Sequence, residues 1–214
     1  MSAFDPAAAE LGATLELLAA VEERPDLSQR SLAQRMGVAL GLTNAYLKRA
    51  MGKGLIKVRQ APARRYLYYL TPQGFAEKAR LTREFLADSF HFFRRARAEC
   101  DEHFARAAAQ GWRRVLVVGV SELAEIATLA AREHEVTLVA VVDPGRNTER
   151  FAGMPVVRSI ADAGAFDAVF LADTKTPQAS FDALVAQLAA DRILTPKMLR
   201  VLRQNSAELE QVAS

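Results

Sequence analysis

Nine basic side chains crowd one stretch of this sequence and meet no acidic side chain there. Between residues 27 and 76 the chain has no Asp or Glu. The cations of this stretch are Arg30, Arg35, Lys48, Arg49, Lys53, Lys57, Arg59, Arg64 and Arg65. Residues 111–214 instead hold 11 basic and 13 acidic side chains. Because charges of one sign repel each other, the pattern predicts an anionic partner, either nucleic acid or a membrane surface.

A second candidate site lies where two apolar segments end. Gly119 follows the first segment, and Asp143 follows the second, 24 positions later. In nucleotide-binding α/β folds, an acidic residue at about this spacing binds a ribose hydroxyl. Only one glycine stands where such folds have three, and Glu122 would repel a pyrophosphate nearby. The pattern therefore predicts a nucleotide-type ligand and argues against NAD.

Cys100 and His103 are spaced three residues apart on a predicted helix, as two metal ligands can be. A tetrahedral site needs more ligands, and only His91 is near in sequence. We therefore expect no metal site and a buried, packing role for Cys100, since a redox-sensing thiol would lack a resolving cysteine. No His, Lys, Tyr or Cys constellation converges on the expected ligand position, so no catalytic residue is assigned.

The elements around the cations follow the order of a helix-turn-helix. Apolar spacing predicts a helix from Pro6 to Glu23, and Ser28 suits the N-cap of a second helix that ends near Met36. After a turn at Gly37, a third helix is predicted over about residues 40–53. Its inward positions are Thr43, Tyr46, Leu47 and Ala50, and its outward positions are Gly41, Asn44, Ala45 and Lys48.

A hairpin with a basic tip comes next. Residues 55–59 and 66–70 are predicted strands, and the turn between them contains Arg64 and Arg65. Two short helices joined by a glycine turn and followed by such a wing are typical of DNA-binding domains. The order of elements therefore favours double-stranded DNA over a membrane.

A long helix is predicted from Pro72 to about Gln110, where Gly74 is the only glycine. It carries an apolar stripe formed by Leu81, Phe85, Leu86, Phe90, Phe93, Cys100 and Phe104. The stripe predicts a homodimer, in which two copies of the helix pack together. The alternative is that the stripe packs against the C-terminal part of its own chain.

The remaining sequence alternates apolar strands with helices, which predicts a parallel sheet. The last of these helices is predicted from about Gln178 to Asp191. The expected fold is an α+β winged helix-turn-helix, then a long helix, then a small α/β Rossmann-like parallel-sheet domain. The expected boundaries are 1–71, 72–110 and 111–214. A single cysteine, no signal peptide pattern and no apolar run near about 20 residues predict a cytoplasmic protein without a membrane partner.

Residues 27–38, 53–56 and 69–74 resemble the winged-helix transcription regulators of the MarR type, and among them the group associated with exopolysaccharide clusters. The resemblance covers about residues 10–90. It implies that the third helix enters the major groove, where Asn44 pairs with adenine and Lys48 or Arg49 contacts guanine or phosphate. It also implies a DNA contact surface at Gly41, backbone contacts from Gln29 and Arg30, and wing contacts from Arg59, Arg64 and Arg65. Leu42 stands where that group often has a basic residue.

Residues 113–160 resemble the nucleotide-sugar-binding domain of bacterial sugar acetyltransferases. This resemblance implies that Gly119, Ser121 and Asp143 contact a nucleotide or nucleotide sugar. A winged helix joined to such a domain is also similar to the redox-sensing repressor Rex. Two alternatives to a ligand-gated regulator stay open: a nucleotide or nucleotide-sugar enzyme with an accessory basic domain, and a ligand-free DNA-binding adaptor.

Overall fold

The computed structural model describes residues 6–61 and 65–203, with side chains for 10–60 and 66–203. The chain forms two compact units, with the division between His91 and Phe92. This division falls inside the long helix, which contributes its first half to one unit and its second half to the other. The boundaries 1–71, 72–110 and 111–214 stay a prediction.

The first unit has the order of a winged helix-turn-helix. Its elements are helices α1 (Pro6–Glu23), α2 (Gln29–Met36) and α3 (Leu40–Gly52), strands β1 (Ile56–Ala61) and β2 (Arg65–Leu70), and the first half of α4 (Pro72–Ala109). The two strands form an antiparallel hairpin in which Ile56 pairs with Leu70 and Ala61 with Arg65. The expected fold of this part of the chain is confirmed.

Local signals in the sequence set the ends of these helices. The Ser28 hydroxyl accepts a hydrogen bond from the amide of Ser31 (3.1 Å) and caps α2, as predicted. Gly37 ends α2 in the left-handed region, with φ of 64°. The core of the unit is apolar and contains Leu17, Leu18, Val21, Leu32, Leu47, Leu55, Ile56, Tyr68 and Leu81.

The second unit is an α/β domain built on a six-stranded sheet. After the second half of α4 come β3 (Arg114–Val118), α5 (Glu122–Glu133), β4 (Thr137–Val142), β5 (Arg150–Phe151), β6 (Met154–Val157), β7 (Ala168–Leu171), α6 (Pro177–Val185) and β8 (Ile193–Leu194). The strand order is β5-β6-β4-β3-β7-β8. Every pair is parallel except β5 with β6.

The sheet differs from the sequence prediction in three details. The two-residue strands β5 and β8 were not predicted, because two residues are too short to show a periodic pattern. The unpredicted strand β5 runs antiparallel to β6, whereas the predicted strands pair in parallel, as expected. Helix α6 ends at Val185 and a short 3-10 turn follows at Ala190–Arg192, whereas the sequence predicted one helix as far as Asp191.

The apolar stripe of α4 is divided among different surroundings. Leu81 is buried in the core of the first unit. Cys100 and Phe104 are buried in the core of the second unit, where Phe104 packs against Phe170 with ring centroids 5.1 Å apart. These three residues pack within the chain, so the expectation that the whole stripe meets a partner subunit is corrected. Three others stay exposed: Leu86, Phe90 and Phe93.

Cys100 and His103 belong to the packed side of α4. Cys100 is fully buried, as expected, and burial raises the pKa of its thiol to about 12. The thiol is therefore protonated at neutral pH. Among the described residues, no group of three or more His, Cys, Asp or Glu side chains is arranged to hold a metal ion.

His103 is also buried, and its ring stands edge-on to Phe170 with centroids 6.1 Å apart. Burial, and next the positive charge of Arg106, lowers the pKa of His103 from 6.5 to about 4. The negative charge of Glu102 acts in the opposite direction without overcoming them. The imidazole is therefore neutral at pH 7.

We predict that the second unit loses stability as the pH falls from about 6.5 to about 4. In this range the unfolded chain binds a proton on His103 that the folded chain excludes, so the stabilisation is complete above pH 6.5 and declines toward pH 4. The gap between the two pKa values corresponds to about 3 kcal/mol in the free energy of unfolding.

Denaturant unfolding of the full chain at several pH values measures this effect through the fluorescence of Trp112, which is the only tryptophan and lies in the second unit. His103→Gln should make the decline shallower by about the same free energy. His91→Gln, at an exposed position of the same helix, is the control and should keep the wild-type decline. Parallel curves for wild type and His103→Gln would contradict the prediction.

Candidate nucleic-acid interface and ligand cavity

Helix α3 has one buried side and one exposed side. Thr43, Leu47 and Ala50 are buried against the first unit, and Tyr46 is half-buried. The Thr43 hydroxyl donates a hydrogen bond to the carbonyl of Ala39 (3.2 Å), which satisfies it inside the helix. The exposed side carries Gly41, Leu42, Ala45, Lys48 and Arg49. The predicted orientation of the helix is therefore confirmed at every position except Asn44.

Asn44 departs from the expectation of an outward side chain. It is half-buried, and its Oδ1 is buried without a hydrogen-bond partner among the described residues. Pairing with an adenine edge needs both Oδ1 and Nδ2. Asn44 can make that pair only if its side chain rotates so that Oδ1 leaves its buried position.

Two of the nine cations are held by acidic side chains of α1. The Arg49 guanidinium is paired with Glu10 and lies over the ring of Tyr46, 5.9 Å from its centroid. Arg35 is paired with Glu23 (2.7 Å) and Glu16 (3.2 Å), and hydrogen bonds with these carboxylates raise the pKa of its guanidinium. Because α1 precedes the basic stretch, the sequence pattern overstated the unbalanced positive charge of the folded unit.

Other cations are exposed on three successive elements. Arg30 lies at the start of α2, Lys48 on α3 and Arg59 on β1, and none forms an ion pair with a described side chain. Gln29 is exposed as well, but its amide Nε2 donates a hydrogen bond to the hydroxyl of Tyr68 (3.3 Å). Gln29 therefore links α2 to the wing. The predicted contact residue Arg64 and the side chain of Arg65 lie outside the described residues.

The wing is anchored at its base. The amide of Tyr68 donates to the carbonyl of Pro25 (2.9 Å), which ties β2 to the loop before α2. Lys57 and Arg59 of β1 are both exposed, as is Val58 between them. Tyr66 and Tyr69 of β2 are exposed large side chains that the sequence reasoning did not single out. Both follow the predicted basic turn, in the strand predicted over residues 66–70, and this position is the signal that could have identified them.

A cavity of about 560 Å³ lies in the second unit at the carboxyl ends of β3, β4 and β7. A residue just beyond the end of each strand lines it: Gly119 after β3, Asp143 after β4 and Asp173 two residues after β7. Arg158 and Lys175 add positive charge, and the apolar lining includes Val118, Val142, Ile160 and Leu184. The volume falls in the range of sites for small molecules.

Gly119 is explained by packing rather than by a ligand. Its φ is 99°, and an added Cβ would overlap the backbone of Asp173. Asp173 was not predicted as a site residue, although an acidic residue four positions before a helix-starting proline is a recognisable turn pattern. Burial raises its pKa, but hydrogen bonds from Ser180, Lys175 and Thr176 outweigh burial and lower the pKa below 3.8. Asp173 is therefore ionised at neutral pH.

Ser121 and Asp143 are both engaged by the fold. The Ser121 hydroxyl donates to the carbonyl of Ala172 (2.6 Å) and accepts from the amide of Ala124 (3.2 Å) as the N-cap of α5. The Asp143 carboxylate accepts hydrogen bonds from the amides of Val120 (3.3 Å) and Gly145 (3.0 Å). Asp143 lines the large cavity, whereas Ser121 lines a neighbouring pocket of about 240 Å³.

The amino end of α5 does not fit a pyrophosphate. Dinucleotide-binding folds place the pyrophosphate there because the helix dipole attracts negative charge. Here Glu122 and Glu125 stand in the first turn of α5 and line the small pocket. A third carboxylate, that of Asp143, accepts a hydrogen bond from the amide of Val120 in the loop before α5. The residues present therefore disagree with NAD at this site.

Within the described residues, no helix is both long and apolar enough to cross a bilayer.

Comparisons with known proteins bear on the first unit. One similar solved structure is MepR, a transcription regulator of the Staphylococcus aureus multidrug efflux pump MepA, with 24% sequence identity and a TM-score of 0.33. The similarity covers 39% of this chain and 61% of that protein. No protein with a curated description matches. Residues 13–57 match the family model for winged helix-turn-helix DNA-binding, so this segment, from α1 into β1, is a DNA-binding winged helix-turn-helix.

Proposed function

We propose that this protein is a transcription regulator of the MarR type that binds double-stranded DNA as a homodimer and responds to a small ligand in its second unit. The resemblance of residues 27–38, 53–56 and 69–74 supports the MarR type and the group associated with exopolysaccharide clusters. Such a regulator acts in the cytoplasm, where the DNA is. It is proposed as a binding protein and not as an enzyme.

One observation carries the DNA-binding part of the proposal. Arg30, Lys48 and Arg59 are exposed on the two helices and the wing of a matched DNA-binding fold, and no described carboxylate neutralises them. Exposed cations on a helix-turn-helix and its wing contact phosphates on both sides of the groove that receives the second helix. In this arrangement Lys48 reads guanine or contacts phosphate from α3, and Asn44 reads adenine after its side chain rotates.

The other residues predicted to contact DNA act in different ways. Gly41 lets the helix backbone approach the groove, because it is exposed and has no side chain. Arg49 supports α3 through Glu10 and contacts DNA only if that exposed ion pair opens. Gln29 orients the wing through Tyr68. Arg64 and Arg65 are proposed as further contacts between the wing and DNA.

The homodimer is proposed from the exposed apolar residues of α4. Leu86, Phe90 and Phe93 are 48%, 59% and 42% exposed, and their spacing of four and three residues puts them on one side of the helix. Burial of three such side chains against a second copy would stabilise a twofold dimer. Two copies also supply two DNA-binding helices, which matches a site with two half-sites.

The ligand is proposed for the cavity of the second unit. A nucleotide-type molecule would place a sugar hydroxyl at Asp143 and its phosphate beside Arg158, with Lys175 at the border to the small pocket that the glutamates of α5 line. Gly119 contributes by allowing the close packing that shapes the cavity, and Ser121 by capping α5. Since α4 belongs to both units, ligand binding would change the spacing of the two DNA-binding helices in the dimer.

We predict that Arg59→Ala weakens binding to every duplex by a similar factor. Loss of one phosphate contact should reduce the slope of log K against log salt concentration by about 0.9. Fluorescence anisotropy titrations at several salt concentrations measure the slope. Arg132→Ala removes one exposed cation from α5 and should leave both affinity and slope unchanged. An unchanged slope for Arg59→Ala would show that Arg59 contacts no phosphate.

We predict that Phe90→Glu converts the protein to a monomer. A charge in the centre of an apolar contact is unfavourable because nothing in the contact pairs with it. Native mass spectrometry should show the mass fall from twice the subunit mass to 23.4 kDa. His91→Glu places the same charge on another side of α4 and should leave the dimer intact. A wild-type monomer, or a dimeric Phe90→Glu, would overturn the proposed contact.

We predict that native mass spectrometry of freshly purified protein shows a retained small molecule, and that Ala183→Phe abolishes it. Ala183 lines the cavity, so a phenylalanine there reduces the space available to a ligand. Val185→Phe, on the opposite side of α6, should retain the molecule. If neither wild type nor the control carries a bound mass, the ligand-free adaptor replaces the ligand-gated regulator.

A further inference from the structure

The exposed side of α3 is apolar in its first half and basic in its second half. Leu42 is 47% exposed, next to Gly41 and Ala45, which are exposed and small. Lys48 and Arg49 follow about one turn after Ala45. No cation lies on α3 before Lys48. The two halves of the helix therefore present different chemistry to whatever binds this side.

The fold of the unit does not require an apolar side chain at position 42. The buried side of α3 is formed by Thr43, Leu47 and Ala50, about a quarter turn or more from Leu42. A single exposed leucine is ordinary on protein surfaces. Here it lies on the helix of a DNA-binding fold, with cations on the same helix and on the wing. The positive charge of these cations is complementary to the phosphates of duplex DNA. We therefore take DNA as the molecule that binds the exposed side of α3.

The major groove offers one apolar group to such a side chain. Thymine carries a C5-methyl group there, whereas the other bases present hydrogen-bond donors and acceptors. Leucine can contact the methyl group but cannot satisfy a donor or an acceptor. The small side chains at positions 41 and 45 leave room for the helix to approach the base edges.

We propose that Leu42 is a specificity-determining residue that recognises the methyl group of thymine in the major groove. The inference rests on the proposed DNA-binding function, and it adds to that function one base and one chemical group that α3 reads. Leu42 selects thymine over cytosine in the part of each half-site that faces the start of α3, and Lys48 acts farther along the helix.

Replacement of thymine by deoxyuridine tests the proposal, because it removes only the methyl group and keeps the base pair. A preferred duplex is first selected from a random library with the wild-type protein. Each thymine is then replaced in turn, and the dissociation constant is measured by anisotropy. At one position in each half-site, wild-type binding should weaken about fourfold, the factor expected for one methyl group removed from an apolar contact.

Leu42→Ala should weaken binding to the thymine duplex by a similar factor or more, and it should bind the thymine and deoxyuridine duplexes equally. The non-additive pair of changes identifies a direct contact. Leu40→Ala is the matched control, since Leu40 is 42% exposed and lies on another side of the helix, two residues away. It should keep the wild-type preference for thymine.

The outcomes separate this inference from the function on which it rests. If the protein binds no duplex, the proposed DNA-binding function fails, and the inference fails with it. If it binds DNA but every deoxyuridine replacement is neutral, or if Leu42→Ala keeps the preference for thymine, DNA binding stands and the inference is wrong. If Leu42→Ala instead changes the number of subunits in the assembly, the apolar surface contacts protein, and the inference is again overturned.

Discussion

The side chain of Thr71 holds together the part of the first unit where α3, the wing and α4 meet. Its hydroxyl donates to the carbonyl of Gly54 (2.7 Å) and accepts from the amide of Gly74 (2.9 Å), while its amide donates to the carbonyl of Leu55 (3.0 Å). A helix cap of this kind contributes on the order of 1 kcal/mol. Gly74 is needed there, because an added Cβ would overlap the Leu55 carbonyl. The direction of α4 and the position of the hairpin are therefore set at one buried junction.

Within this frame the basic residues fall into two groups with different physical roles. Arg35 on α2 and Arg49 on α3 are paired with glutamates of α1. Exposed ion pairs of this kind contribute little to stability, but they fix where the guanidinium groups lie. Arg30, Lys48 and Arg59 have no such described partner and keep their full charge for a polyanion. The net charge of the sequence could not make this distinction.

Sequence patterns were sufficient where the signal was local. The cap at Ser28, apolar strands and glycine turns gave most element boundaries to within one or two residues. Features set by distant contacts were not predictable. The Glu10–Arg49 pair joins residues 39 positions apart, and the apolar stripe of α4 was divided only by what packs against each residue. In the second unit, Asp173 was not predicted as a site residue, because its position in the cavity depends on packing of its backbone against Gly119.

The close contact between Gly119 and Asp173 also constrains the chemistry of the cavity. In dinucleotide-binding folds, glycines after the first strand let a pyrophosphate approach the backbone. Here the backbone of Asp173 makes that close approach to Gly119. The Asp173 carboxylate accepts hydrogen bonds from the backbone amides of Lys175 (2.8 Å) and Thr176 (3.2 Å), which precede α6. Glu122 and Glu125 lie in the first turn of α5, where negative charge interacts favourably with the helix dipole. Since acidic side chains occupy both helix starts, the positive charge left for a ligand phosphate comes from Arg158 and Lys175. A glycine at the end of the first strand is thus no indication of a phosphate loop when the fold itself fills the space above it.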